Sequence, residues 1–160
     1  MRCFLLCLSI DLHMDSAAGT KERAIAGVTH GLIGLDQSVT WKGRHFGFML
    51  HHTSKIVRYE APTFFCDVMT AGMFKSFRHE HYFTDVAGVT VMQDVLQFAA
   101  PFGLLGTLVE RLVLRNYFEK FLQERNAAVK QIAESEEWQR YLKECALPIS
   151  HLGVGDGDAF

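Results

Sequence analysis

Cysteine is scarce and scattered in this sequence. The four cysteines lie at positions 3, 7, 66 and 145, which is too few and too dispersed for the disulfide framework of a small secreted protein. We therefore expect reduced thiols and a cytoplasmic protein.

Long apolar runs are also missing. The N-terminal run Cys3–Ile10 is far shorter than the roughly 20 residues that a membrane-spanning helix needs. Asp11, His13 and Asp15 interrupt the approach to any signal-peptide cleavage site. We expect no stable insertion into a membrane.

Charge of neither sign is in excess. Sixteen lysines and arginines face 18 acidic residues, and the net charge is −2. Without a broad basic field, a nucleic-acid partner is not expected. Apolar residues make up 49% of the chain, enough for one folded domain with a sizeable core. We assign residues 1–147 to this domain and residues 148–160, which are rich in Gly and Asp, to a flexible tail.

Short alternating segments dominate the chain up to residue 98. Period-two alternation lets one face of a strand be buried, and such segments occur near 22–28, 37–45, 51–60, 64–70, 74–83 and 89–98. Ala87 and Gly88 supply a tight reversal between the last two, and Pro101 ends the last one. Strands that follow one another this closely predict an antiparallel meander.

Helical periodicity governs the two ends of the domain. Residues 1–13 carry apolar side chains at helical spacing and predict one N-terminal helix. From Leu105 to Ile132, apolar residues recur at intervals of three and four, which predicts one long amphipathic helix with a continuous buried stripe. Such a helix needs a sheet to lie on.

Three motifs, taken in order, carry a resemblance to a known family: His79-x-His81-x-Phe83, Gly88-x-Thr90-x-Met92-x-Asp94, and Pro101-x-Gly103-x-x-Gly106 before the long helix. This order resembles the START-like (SRPBCC) superfamily, and more narrowly its cyclase/dehydratase-type and "cell division inhibitor-like" proteins. The resemblance covers roughly residues 3–135. It implies an α+β helix-grip fold, in which a curved antiparallel sheet wraps around a long C-terminal helix and leaves an apolar cavity between them.

The resemblance also implies a difference at the N-terminus. The family's first strand has no counterpart before the N-terminal helix of this sequence. In the helix-grip sheet that strand would pair with the last one, here residues 89–98. An edge without a partner has unpaired backbone groups, so we expect a possible homodimer through this strand.

Candidate cavity residues follow from strand and helix parity. His79 and His81 project to the same strand face as Phe77, which we expect to be the inward face of its strand. Asp94 shares the inward face of the next strand with Met92, and a neighbouring histidine is its natural partner. This pairing should raise the histidine pKa and lower the pKa of Asp94. The full set of candidate ligand-binding residues is Trp41, His45, Asp67, Phe77, His79, His81, Met92, Asp94, Leu105 and Leu112.

Three interpretations of His79, His81 and Asp94 stay open. They can form a satisfied buried polar network that braces the sheet. They can anchor the polar end of an amphipathic ligand. They can also act as an acid–base pair, as in a polyketide cyclase or dehydratase, and they are then the candidate catalytic residues.

Metal binding is a separate question. A His-x-His on a strand with a cross-strand carboxylate is a zinc-binding pattern, to which His45, His51 and His52 could contribute. A single His-x-His is a weak signal, and the resemblance supplies no metal, so neither metal ligands nor a cofactor are predicted.

The sequence thus favours binding of a small hydrophobic or amphipathic ligand between the sheet and the C-terminal helix. A cyclase- or dehydratase-like enzyme is one alternative. A regulatory interaction protein, suggested by the family name, is the other.

Overall fold

The computed structural model describes residues 1–17, 19–45, 47–101 and 103–143, without the side chains of Leu104, Leu105 and Thr107. The predicted tail at residues 148–160 lies outside these ranges.

Six strands of the described residues form one antiparallel sheet in the order of the chain. They are β1 (Arg23–Gly27), β2 (Ser38–His45), β3 (Phe48–Glu60), β4 (Phe64–Ala71), β5 (Ser76–Val86) and β6 (Val89–Ala99). Each predicted strand is present within a few residues of its expected bounds. The sheet is the expected meander, because every strand pairs with its sequence neighbour.

The N-terminal segment forms two helices instead of the single one predicted. They are α1 (Arg2–Cys7) and α2 (Ile10–Ser16). Ser9 caps α2, since its side-chain oxygen accepts a hydrogen bond from the backbone N–H of Leu12 at 3.2 Å. The apolar spacing alone did not reveal this break, because Leu8 and Ile10 on either side of it are both buried.

The C-terminal helical region runs through α3 (Gly103–Val109), a π-helical segment (Glu110–Leu114), α4 (Arg115–Glu134) and α5 (Trp138–Leu142). The predicted continuous stripe is wrong in its first half. A π-helical segment has more residues per turn than an α-helix, so the buried face shifts around the axis. Leu108, Val109 and Leu112 are exposed, whereas Leu114 and Val129 are buried.

The long helix lies across the inner face of the sheet, which confirms the predicted α+β helix-grip fold. In α4, Phe118 contacts Phe74, Phe77 and Phe98 of the sheet side, with ring centroids 4.9–5.7 Å apart. None of the helices in the described residues has the length and hydropathy needed to cross a bilayer.

An apolar core lies between the sheet and the helices. Phe4 of α1 is 1% exposed, and its ring meets those of Tyr59, Phe65 and Phe83 edge-on at 5.3–5.7 Å. Val129 joins this core from α4. Phe65 and Ile56 belong to this core and also line the cavity described below, so core and cavity adjoin.

Strand β6 lies at one edge of the sheet. Among the described residues it pairs with β5 alone, through a two-residue turn at Ala87 and Gly88, as predicted. The implied lack of a first strand and the homodimer through this edge both stay predictions.

Candidate functional site

A cavity of about 170 Å³ lies between the concave face of the sheet and α4. Its wall combines aromatic and aliphatic side chains with several titratable groups. The aromatic part includes Trp41, Phe65, Phe74, Phe77, Tyr117, Phe118 and Phe121. An apolar cavity of about 150 Å³ admits a molecule the size of benzene, so this one suits a small guest.

Four titratable residues from three adjacent strands meet at one side of the cavity. The register places Asp67 of β4 directly opposite His79 of β5, and Asp94 of β6 directly opposite His81. His79 and His81 are two residues apart and share a face. The four side chains therefore form one group, here called the two-histidine cluster.

Each imidazole of the two-histidine cluster lies between the two carboxylates. His79 Nε2 and His81 Nδ1 lie 3.0 and 2.8 Å from the same oxygen, Asp94 Oδ1. The opposite ring nitrogens, His79 Nδ1 and His81 Nε2, lie 3.9 and 3.4 Å from Asp67 Oδ2. The two rings are 3.9 Å apart, and Phe65 stacks on His81 at 4.0 Å.

Two residues of helix α4 contact the Asp94 side of the two-histidine cluster. Arg125 Nη1 lies 4.0 Å from Asp94 Oδ1, and its Nη2 donates a hydrogen bond to the Cys7 carbonyl at 3.4 Å. The Asn126 amide donates to Asp94 Oδ2. Even so, His79 Nε2, His81 Nδ1 and Asp94 Oδ1 have no partner in hydrogen-bond geometry, so buried polar atoms of the cluster are incompletely satisfied.

The carboxylates of the cluster are held in the ionised form. Burial alone would raise the pKa of Asp67, but the hydrogen bond with His81 and the nearby charges outweigh it and lower the pKa to about 2. Burial would also raise the pKa of Asp94, yet the close ring nitrogens of His79 and His81 hold it well below its ordinary value.

The predicted fall in the pKa of Asp94 is thus right. The predicted rise in the histidine pKa is wrong for His79. Burial lowers the pKa of His79, and the neighbouring His81 lowers it further. These two effects outweigh the contact with Asp94, which favours the charged ring. Two imidazoles in contact oppose each other's protonation, an effect that is absent when each histidine is considered with its carboxylate alone.

A second polar group, the Glu22 cluster, lies in another part of the cavity wall. Glu22 accepts from two imidazoles: His13 Nε2 at 2.6 Å and His45 Nε2 at 3.0 Å. His45 Nδ1 in turn lies 2.6 Å from the Tyr117 hydroxyl on α4, and His13 stacks on Trp41 at 4.1 Å. Burial would raise the pKa of Glu22, but the hydrogen bonds from His13 and His45 lower it to about 2.

The structure places six of the ten candidate residues on the cavity wall: Trp41, His45, Asp67, Phe77, His79 and His81. Asp94 lies behind the two histidines. Met92 packs in the core, with its sulfur 3.3 Å from the Cys7 thiol. Leu112 is 65% exposed and lies away from the cavity, because the π-helical segment turns it outward. The side chain of Leu105 is outside the described part of the chain.

Sequence analysis missed His13, Glu22, Tyr117 and Arg125. Glu22 comes from a link between elements, and no local pattern marks it. Arg125 did carry a signal, since it falls four residues after Phe121 and four before Val129, inside the apolar stripe of α4. A charged residue within such a stripe is buried and needs partners.

Comparisons with known proteins support the fold and go no further. No family model matches the sequence, and no curated protein matches it. The structure is similar to TTHA0849 from Thermus thermophilus, with a TM-score of 0.58 and 11% identity over 91% of this chain and 90% of the other. It is also similar to Ara h 8.0201, with a TM-score of 0.54 and 10% identity over 81% and 89%.

Proposed function

We propose that the protein binds a small hydrophobic or amphipathic molecule in the cavity between the sheet and α4. One observation carries this proposal: an aromatic-lined cavity of about 170 Å³ lies where the helix-grip architecture separates helix from sheet. Binding pockets are mostly apolar with a few placed polar groups. The two polar clusters on this wall supply such groups.

Trp41 offers a direct test. It lines the cavity and is 8% exposed, whereas the other tryptophan, Trp138, lies beside Arg2. In a Trp138→Phe background, emission from Trp41 reports on the cavity alone. We expect saturable quenching by iodobenzene, a small apolar heavy-atom quencher, and little quenching by aqueous iodide.

A matched pair of variants controls for binding elsewhere. Leu122→Phe adds volume to the cavity wall and should weaken iodobenzene binding. Leu112→Phe makes the same change on the exposed side of the helical region and should leave binding unaltered. Linear, non-saturating quenching, or equal effects of the two substitutions, would contradict the proposal.

A second candidate function is acid–base catalysis of the cyclase or dehydratase kind. The observation that favours it is the contact of His79, His81 and Asp67 with the cavity, within reach of a bound molecule. A catalyst should lose turnover of a polyketide-like substrate in His81→Ala, whereas a binding protein has no turnover to lose.

A further inference from the structure

The two-histidine cluster contains three atoms that face one point at the cavity wall. They are Asp67 Oδ2, His79 Nδ1 and His81 Nε2, and all lie within 4.8 Å of one another. The contacts to Asp67 measure 3.9 and 3.4 Å. Around a tetrahedral zinc ion with bonds of 2.0–2.2 Å, neighbouring ligand atoms are about 3.4 Å apart. The two contacts to Asp67 are therefore close to the spacing of zinc ligands, and side-chain adjustments would have to bring any wider pair, up to 4.8 Å apart, to the same spacing.

The remaining ring nitrogens are placed as metal sites require. Histidines that bind a metal generally present their other nitrogen to a carboxylate or carbonyl, which fixes the tautomer and the ring orientation. Asp94 Oδ1 lies 3.0 Å from His79 Nε2 and 2.8 Å from His81 Nδ1, within hydrogen-bond distance of both rings but outside hydrogen-bond geometry. With protons on these two nitrogens, the lone pairs of the other two point toward Asp67.

The net charge of the two-histidine cluster and Arg125 favours binding of a cation. Two carboxylates, Asp67 and Asp94, face one guanidinium, that of Arg125, so the buried group has one net negative charge with neutral imidazoles. A divalent ion between the histidines and Asp67 would offset this negative charge.

We propose that Asp67, His79 and His81 bind a divalent transition-metal ion of the zinc type, with a further coordination position open to the cavity. This revises the expectation from sequence, which predicted no metal ligands. The donor set of two imidazoles and one carboxylate suits zinc and cobalt. The open position would take water or an oxygen or nitrogen atom of the cavity's guest.

Cobalt(II) tests the site directly. The untagged full-length chain is treated with a chelator, dialysed and titrated with Co²⁺. We expect one ion per chain and strong visible d–d bands, which distinguish a four- or five-coordinate site from the weakly coloured aqueous ion. Zn²⁺ should then displace the colour.

Isosteric variants locate the ligands. Asp67→Asn and His79→Gln should each weaken Co²⁺ binding by at least about tenfold, and Asp94→Asn by about 10- to 100-fold through loss of ring orientation. Glu22→Gln is the matched control, because it alters another His–carboxylate group in the same cavity. It should leave the affinity for Co²⁺ unchanged.

Ring-nitrogen NMR on the wild-type protein keeps the test independent of variant folding. Zn²⁺ should shift His79 Nδ1 and His81 Nε2 and leave the ring nitrogens of His13 and His45 in place. No visible band and no ring shift in the wild type would overturn the proposal. So would binding that survives Asp67→Asn and His79→Gln, or that is lost in Glu22→Gln. Iodobenzene quenching of Trp41 needs no metal, so failure here is separable from failure of the proposed function.

Discussion

Individual side chains decide how the cavity wall accommodates charge. Glu22 and Asp67 are both largely buried, with 10% and 15% of their side chains exposed, and both have pKa values of about 2. In each case histidine contacts compensate for the loss of water. The wall is thus polar at defined points and aromatic between them.

Glu22 should make stability depend on pH. Its pKa is lowered from 4.5 to about 2 by His13 and His45 against the opposing effect of burial. A lowered pKa stabilises the fold above the unfolded value, and that contribution disappears as pH falls from about 4.5 toward 2. The shift corresponds to about 3 kcal/mol.

Glu22→Gln removes this titration. We expect the variant to be less stable than the wild type at neutral pH, and the gap in unfolding free energy to narrow as pH drops through that window. Urea unfolding at a series of pH values measures it. A gap that stays constant from neutral pH down to about pH 2.5 would contradict the assignment.

Single residues were the hardest part to foresee from sequence. His79, His81 and Asp94 could be grouped because strand parity and adjacency fix their neighbours. Glu22 meets His13 and His45 only because α2, the link before β1, and β2 converge in space. No spacing in the chain encodes that meeting, so nothing in the local sequence distinguishes Glu22, which is largely buried, from an acidic residue at the surface.

Among the helices and strands, the local apolar pattern predicted structure well wherever its period stays constant. Alternation located all six strands, and Ala87-Gly88 located the turn between β5 and β6. The prediction of the helical region is wrong where the helical period changes. The π-helical segment Glu110–Leu114 turns Leu112 outward, and an apolar list at three- and four-residue spacing cannot contain that information.

The β5–β6 turn supports a prediction about stability. Both turn residues have left-handed backbone angles, with φ of 53° at Ala87 and 82° at Gly88. This conformation costs a residue with a Cβ roughly 1–2 kcal/mol, and Asn tolerates it better. Ala87→Asn should therefore stabilise the protein by about 0.5–1 kcal/mol, measured by urea unfolding. Gly88→Ala should do the reverse, and a stabilising Gly88→Ala would refute this interpretation of the turn.

For the molecule as a whole, packing around α1 should contribute more to stability than packing at the cavity wall. Phe4 of α1 packs against three rings, so Phe4→Ala should cost about 3–5 kcal/mol. Phe77 lines the cavity and is only half-buried, although its ring meets four others at 5.1–6.4 Å. Because it is less buried than Phe4, Phe77→Ala should cost less. Unfolding free energies of the two variants test this. Equal losses of stability would contradict the weaker packing that we expect at the cavity wall.

The outer edge of β6 bears on assembly. Val89 and Val91 are 65% and 49% exposed on this strand, whose only partner among the described residues is β5. If two copies pair through this edge, light scattering should show a concentration-dependent dimer. Val91→Lys should weaken it, because a charged edge strand resists pairing. A monomer at all concentrations would remove the dimer prediction.

Two polar attachments of α4 bear on the length of a molecule that the cavity can enclose. Tyr117 is tied to β2 through His45, and Arg125 is tied to α1 and β6. Tyr117 and Arg125 are eight positions apart in the sequence, and this spacing corresponds to about 12 Å along the helix axis. We therefore expect a molecule that lies along α4 between these two attachments to be no longer than about this span. A longer one would have to break one of the two attachments to be enclosed.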